Sequence, residues 1–312
     1  MKIDIKHLLK HYSIIFAFVI ICIALSFLSP AFLRVTNILN VIRQTSIYGI
    51  MAVGITFVIL TGGIDLSVGS MLALSGIVLA GSIKAGMPLF PVILLTLAVG
   101  TAAGLVNGLV ITLGKITPFV ATLGMMSIAR GLTLIYSKGY PISGFSAEFR
   151  FIGGGSILGL PFPIILFLIT ILIAWLVLNH TKFGRYTYAI GGNEETVKLS
   201  GINVNFYKTL VYMTSGLTAG LSALILTARL NSAEPIAGTG YELDVIAAVV
   251  IGGTSLNGGR GTVWGTLIGA LLIGVINNGM NLLGISPYFQ LIVRGLIIIF
   301  AVLLDRLRDE QG

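Results

Sequence analysis

The sequence predicts an all-α, polytopic membrane protein of about ten transmembrane helices, some of them broken, built as a single domain over residues 1–312. Three observations predict it. The chain is 56% hydrophobic and only 10% charged, with a mean hydropathy of +1.02, whereas a soluble domain is about 25% charged. Ten apolar runs, each bounded by Gly, Pro or charge, are mostly long enough to cross a bilayer. A single long charge-bearing passage, Asn179–Lys208, separates two blocks of such runs.

In chain order the runs cover residues 12–29, 45–61, 66–84, 89–113, 117–137, 162–179, 206–229, 242–257, 262–283 and 287–304. The first, from Tyr12, is longer than a signal-peptide core and lacks a small-residue cleavage site, so it reads as a retained span. Leu33–Arg43 is amphipathic and reads as a segment lying along the membrane surface. The forty glycines suit helices that pack closely in lipid. Cys22, the lone cysteine, lies in an apolar run, which leaves no intrachain disulfide and no thiolate metal site.

The net charge of +8 is scattered over span ends, which argues for topology rather than nucleic-acid binding. With both termini cytoplasmic, eleven Lys and Arg, including Lys2, Lys6 and Lys10, fall inside and six fall outside. The positive-inside rule therefore places both termini and the 180–205 loop in the cytoplasm. The loop at 138–161, rich in Gly, Pro and aromatics, becomes the main external one. It reads either as a plain connection or as a landing surface for an extracytoplasmic protein.

Within the polar passage a short helix is written out. Asn193 suits an N-cap, Glu194 and Glu195 stand in the first turn, Lys198 lies near the end, and Gly201 suits the position after the C-cap. Glu194 also precedes Lys198 by four residues, the favourable order for a helical ion pair. So short a helix is marginal alone and needs something to lean on. A solvated linker seldom carries all these signals in register, so the passage reads as a docking element for a soluble partner.

The apolar blocks hold few groups capable of chemistry. TGGIDLSVGS, residues 61–70, brings Asp65 and Ser67 into hydrophobic sequence. A charge at the bilayer centre costs at least about 2.5–3.5 kcal/mol, so Asp65 either caps the helix beginning near Leu66 or faces an interface or water-lined path. A second break, GGTSLNGGRG, covers residues 252–261. Asn107, Asn277 and Asn278 offer neutral groups for a sugar-like ligand, or hydrogen bonds between helices. Arg130 and Arg294 need partners, with Glu242 and Asp244 available. LTGGIDL (60–66) and VIGGTSL (250–256), and GLVNGLVITLG (104–114) and GVINNGMNLLG (274–284), suggest a weak internal repeat.

The absences bear on mechanism too. Gly114-Lys115 is followed by Ile116, and Leu109 stands where a phosphate-binding loop begins with glycine. His7, His11 and His180 all lie at span ends, away from any intramembrane active site. No catalytic constellation, cofactor site or metal cluster is expected, and the chain reads as a non-enzyme.

TGGIDLSVGS, AIGGNEETVKLSGINV (189–204) and VIGGTSLNGGRGTVWGTLIGALLIGVINNG (250–279) together resemble the permease subunit of ribose-type sugar ABC importers, across essentially the whole chain. The resemblance implies a type II importer-like homodimer in the bacterial inner membrane, with a translocation path between the subunits. It implies an extracytoplasmic sugar-binding protein and a cytoplasmic ATPase as partners, a monosaccharide such as ribose as substrate, and no cofactor. Gly191–Gly201 matches the family's coupling segment, which makes Asn193, Glu194, Glu195, Lys198, Ser200 and Gly201 the expected ATPase contacts. Asp65, Ser67, Asn107, Asn277 and Asn278 are the candidates for the path or its gate. An ion-coupled sugar transporter and a branched-chain amino acid permease are the alternatives.

Overall fold

A computed structural model describes residues 13–309. The helices are α1 (Ser13–Leu28), α2 (Val35–Leu60), α3 (Val68–Lys84), α4 (Leu89–Thr112), α5 (Pro118–Ser137), α6 (Ala147–Gly154) and α7 (Phe162–His180). They continue with α8 (Lys182–Gly192), α9 (Glu194–Leu199), α10 (Val204–Leu230), α11 (Tyr241–Ile251), α12 (Val263–Leu282) and α13 (Pro287–Asp309). Two antiparallel two-residue pairings, β1 (Ile142–Ser143) with β4 (Ser232–Ala233) and β2 (Ser156–Ile157) with β3 (Leu160–Pro161), tie down the connections at one end.

Helix α2 is the axis. Every residue from Thr45 to Leu60 is buried, as expected of a helix that is apolar all round. Helices α10, α12, α7 and α11 surround it. Beside them α4 and α10 pack backbone to backbone. A Cβ on Gly216 would stand 2.0 Å from Gly100 O, and one on Gly104 would stand 2.2 Å from Tyr212 O. Glycine at both faces is what lets the helices approach so closely.

Each of the ten apolar runs of the sequence overlaps one helix, but they are not ten equal spans. Among the described residues six helices, α2, α4, α5, α7, α10 and α12, are long and apolar enough to cross a membrane, while α1, α3 and α13 carry shorter apolar stretches. The run at 242–257 ends as a helix at Ile251, leaving α11 with 11 residues, about 16 Å of rise against a hydrocarbon core of about 30 Å. It is half a crossing.

The surface segment expected at 33–43 is instead continuous with α2, a single helix of 26 residues. No Gly or Pro interrupts residues 35–48, and Asn37 is bound to Asn278 of α12 by two amide hydrogen bonds of 3.0 and 2.9 Å. Of the basic residues expected on the cytoplasmic side, Lys2, Lys6 and Lys10 lie outside the described residues.

Both breaks have the same cause. At the end of α2 the Gly62 amide donates to Ile59 O (2.9 Å) and the Gly63 amide to Val58 O (3.0 Å), with Gly62 at φ +72°. At the end of α11 the Gly253 amide donates to Val250 O (2.9 Å) and the Thr254 amide to Val249 O (3.2 Å), with Gly253 at φ +91°. Each is a Schellman cap, in which a left-handed glycine stops the helix by satisfying its last carbonyls. The LTGGIDL and VIGGTSL stretches are therefore alike as caps. The second pair of repeat stretches is not alike: 104–114 ends at the break face, where Thr112 meets Thr209 at the base of α10, whereas 274–284 ends at the opposite side, a full helix beyond the break. The two pairs do not belong to one repeat.

Two stretches of turns and irregular backbone lead into α3 and α11. Residues 61–67 run to the start of α3, and residues 234–240 run to the start of α11. The first turn of α3 meets the second stretch, where a Cβ on Gly69 would stand 2.1 Å from Gly238 O. Arg130 of α5 holds the second of these segments, donating to Pro235 O at 2.6 Å and Ala237 O at 2.9 Å. Arg294 instead faces Asp244 at 3.5 Å.

Candidate coupling elbow and buried path residues

At the break face, α8 lies against the bundle by its aromatic side. Phe183 stacks on Phe57 of α2 at 5.7 Å and lies near-parallel to Tyr207 of α10 at 6.3 Å. Only Asn193 separates α8 from α9, which makes an elbow. Asn193 Oδ1 accepts the Thr196 amide at 2.8 Å, the expected N-cap. Gly201 follows the C-cap at φ +80°, with its amide donating to Lys198 O at 3.1 Å.

What α9 leans on is a small apolar cluster: Val197, its one buried residue, packs with Ile190 and Val204. Glu194, Glu195, Lys198 and Ser200 stay exposed, and Leu199 stands 84% exposed at the tip. Ser200 Oγ donates back to Thr196 O at 2.9 Å. The expected Glu194–Lys198 pair is not formed. Glu194 Oε2 instead meets Lys208 Nζ at 2.9 Å, because the turn at 200–203 brings α10 back alongside the first turn of α9. Lys208 is 16% exposed there, so the pair ties the two helices where Lys198 would only have braced one.

With Asn193→Ala, α9 loses about 1 kcal/mol of capping. Amide exchange over residues 194–199 is then expected to quicken about fivefold, since that energy corresponds to such a factor. Unchanged exchange would mean that the packing of Val197 alone holds the helix.

Deep in the bundle the path candidates divide into two groups. Asp65 is fully buried; its Oδ1 accepts the Ser67 amide (2.9 Å) and Ser67 Oγ (2.6 Å), and its Oδ2 accepts Ser215 Oγ (2.8 Å). Asn107 Nδ2 in turn donates to Ser67 Oγ at 2.9 Å. Ser215 lies eleven residues into α10, about 17 Å along its axis. Asp65 is therefore no N-cap at Leu66: α3 begins at Val68, and the carboxylate closes a turn before it and ties that turn to α10. The second group is separate. Asn277 donates to Asp244 Oδ2 at 3.4 Å, and Asn278 pairs with Asn37.

Ser215 is the member of the first network that sequence reading missed. One serine among the small residues of α10 carries no local signal. Tyr188 and Tyr212 were missed for a similar reason: they hold broken backbone, donating to Gly261 O at 2.9 Å and Ile64 O at 3.4 Å. Among the described residues, no three His, Cys, Asp or Glu side chains gather as a metal site would require.

Residues 37–302 match the model of a family described as the branched-chain amino acid transport system permease component. The chain is 53% identical to the ribose import permease protein of Bacillus subtilis (strain 168) over 289 residues, covering 92% of this chain and 90% of that one. It is 50% identical to the ribose import permease protein of Escherichia coli (strain K12) over 302 residues, covering 96% and 94%. It is 43% identical to the D-allose transport system permease protein of Escherichia coli (strain K12) over 298 residues, covering 95% and 91%. No solved structure matches the chain. A family match across nearly the whole described fold, joined to these full-length identities, means that the chain belongs to this family of membrane permeases.

Proposed function

We propose that the chain is the membrane subunit of a bacterial ABC importer for ribose, working as a homodimer with the sugar path between the copies. The sugar is drawn from the relatives, whose names specify ribose at 50–53% identity. Loaded binding protein docks outside, on the face that carries the 138–161 connection, and an ATPase docks in the cytoplasm on α9. Both termini are cytoplasmic in this reading.

The observation that carries the mechanism is the elbow. A capped helix too short to stand alone is seated by one buried valine and presents two acids, a lysine and a bare leucine outward. Isolated surface charges contribute little to stability, about 0–1 kcal/mol, so this arrangement is better explained by a partner than by the fold. Closure of the ATPase pair on ATP moves α9 and tilts the helices attached to it, opening the path to one side. Asp65, Ser67 and Asn107 form the gate network beside that path, and Asn277 and Asn278 lie on the second set of interhelical ties. No bond chemistry is assigned to the chain.

The test is the ATPase rate of the reconstituted complex with ribose-loaded binding protein, for wild type and for Glu194→Ala/Glu195→Ala. Stimulation is expected to vanish while the complex stays assembled. Undiminished stimulation would reduce the two acids to helix-stabilising charges and move the contact elsewhere in the loop. In the same vesicles unlabelled ribose should compete with labelled ribose and leucine should not. The reverse would favour an amino acid substrate.

A further inference from the structure

Three glycine-bearing stretches, far apart in the chain, bring their backbones to one point. The Gly259 amide donates to Leu60 O at 2.9 Å. A Cβ on Gly191 would stand 1.9 Å from that same carbonyl oxygen and 2.4 Å from Gly259 N. Gly258, at φ +86°, would bring a Cβ within 2.8 Å of Gly62 N and 2.9 Å of Gly191 Cα. The cap that ends α2, the loop that follows α11 and the last turn of α8 thus touch with no side chain between them. Tyr188, on the same turn of α8 as Gly191, adds a fourth tie through Gly261 O at 2.9 Å.

A junction of this kind transmits displacement. Side-chain contacts yield by rotation about χ angles, whereas touching backbones have no such slack. A hydrogen bond of this type weakens beyond about 3.2 Å, and a gap of roughly 0.5–1 Å already forfeits a quarter to a half of the dispersion attraction. Any larger movement of the end of α8 must carry Leu60 and Gly259 with it or break the contact. From Leu60 the chain runs straight to Asp65, which holds α3 through Ser67 and α10 through Ser215. From Gly259 it runs to α12 at Val263.

We propose that Gly191, Gly258 and Gly259 are positioning residues of the transport cycle, joining the α8–α9 elbow to both interrupted crossings so that a push on α9 moves the two breaks together. The proposal rests on α9 being the ATPase contact.

It is tested by amide hydrogen exchange on the complex of the full chain with its ATPase subunit, nucleotide-free and trapped with ATP and vanadate. In wild type, protection over residues 58–67, 187–200 and 253–263 is expected to change together, by about tenfold, the scale of ordinary coupling between sites. In Gly191→Ala the 187–200 stretch should still respond while both breaks fall silent, and ribose taken up per ATP hydrolysed should drop. A wild-type complex in which 187–200 responds and the breaks do not would overturn the junction as a transmitter. A silent 187–200 stretch would instead remove the docking of α9, and the junction's role with it. The wild-type result is decisive by itself, so the test holds even if Gly191→Ala does not fold.

Discussion

Gly216→Leu is expected to leave no folded permease in the membrane. The α4–α10 contact runs backbone to backbone, and Gly216 sits near its centre with only 2.0 Å between a would-be Cβ and Gly100 O. That carbonyl belongs to a helix backbone and cannot swing aside, so even one methyl must push the helices apart. Overpacking a well-filled contact costs typically about 1–3 kcal/mol, the range expected for Gly216→Ala, and leucine adds three further carbons to the same gap. The measurement is the fraction of monodisperse protein and its thermal midpoint in detergent for the Gly, Ala and Leu forms. Gly100→Ala meets Gly216 O at 2.3 Å in the same contact. The double alanine variant should therefore lose less stability than the sum of the singles, because the first substitution already opens the gap that the second needs. Full additivity would mean that the two glycines do not share a contact.

Asp65→Ala is expected to abolish uptake and to destabilise the fold on the order of 3 kcal/mol, since it strands the Ser67 amide, Ser67 hydroxyl and Ser215 hydroxyl in a buried site. Asp65→Asn is the informative partner. Its carbonyl oxygen can accept from Ser67, and its amide can donate to Ser215 Oγ once that hydroxyl turns to accept, so every group keeps a bond and only the charge is lost. If the carboxylate's role is to tie α3 to α10, the asparagine form is expected to keep most of its thermal stability and its ribose uptake. An asparagine form as stable as wild type yet inactive would show that the negative charge itself acts in the path.

Much of this molecule was legible along the chain because the signals are local. The apolar runs marked the helices, the paired glycines at 62–63 and 252–253 marked where two of them end, and Asn193 with Gly201 bracketed α9 to the residue. Illegible were features with a partner elsewhere. The pairing of Glu194 with Lys208 over Lys198 depends on how the 200–203 turn folds back, which a helical spacing rule does not see. The path of Leu33–Arg43 into α2 depends on Asn278, 241 residues beyond Asn37.

The sequence by itself determined the membrane class, the placement of the apolar helices and of two of their breaks, and the capped helix α9; it did not announce α6 or α8. Hydrophobic runs, caps and left-handed glycines act within a few residues, and these features follow from them. Only the tertiary structure decided that α11 is half a crossing, that Asp65 reaches Ser215, and that the glycines at 191, 258 and 259 close on Leu60 and Gly62. The reason is physical: glycine has no side chain to announce which backbone it will touch, and a buried carboxylate takes whichever hydroxyl the packing of distant helices sets beside it.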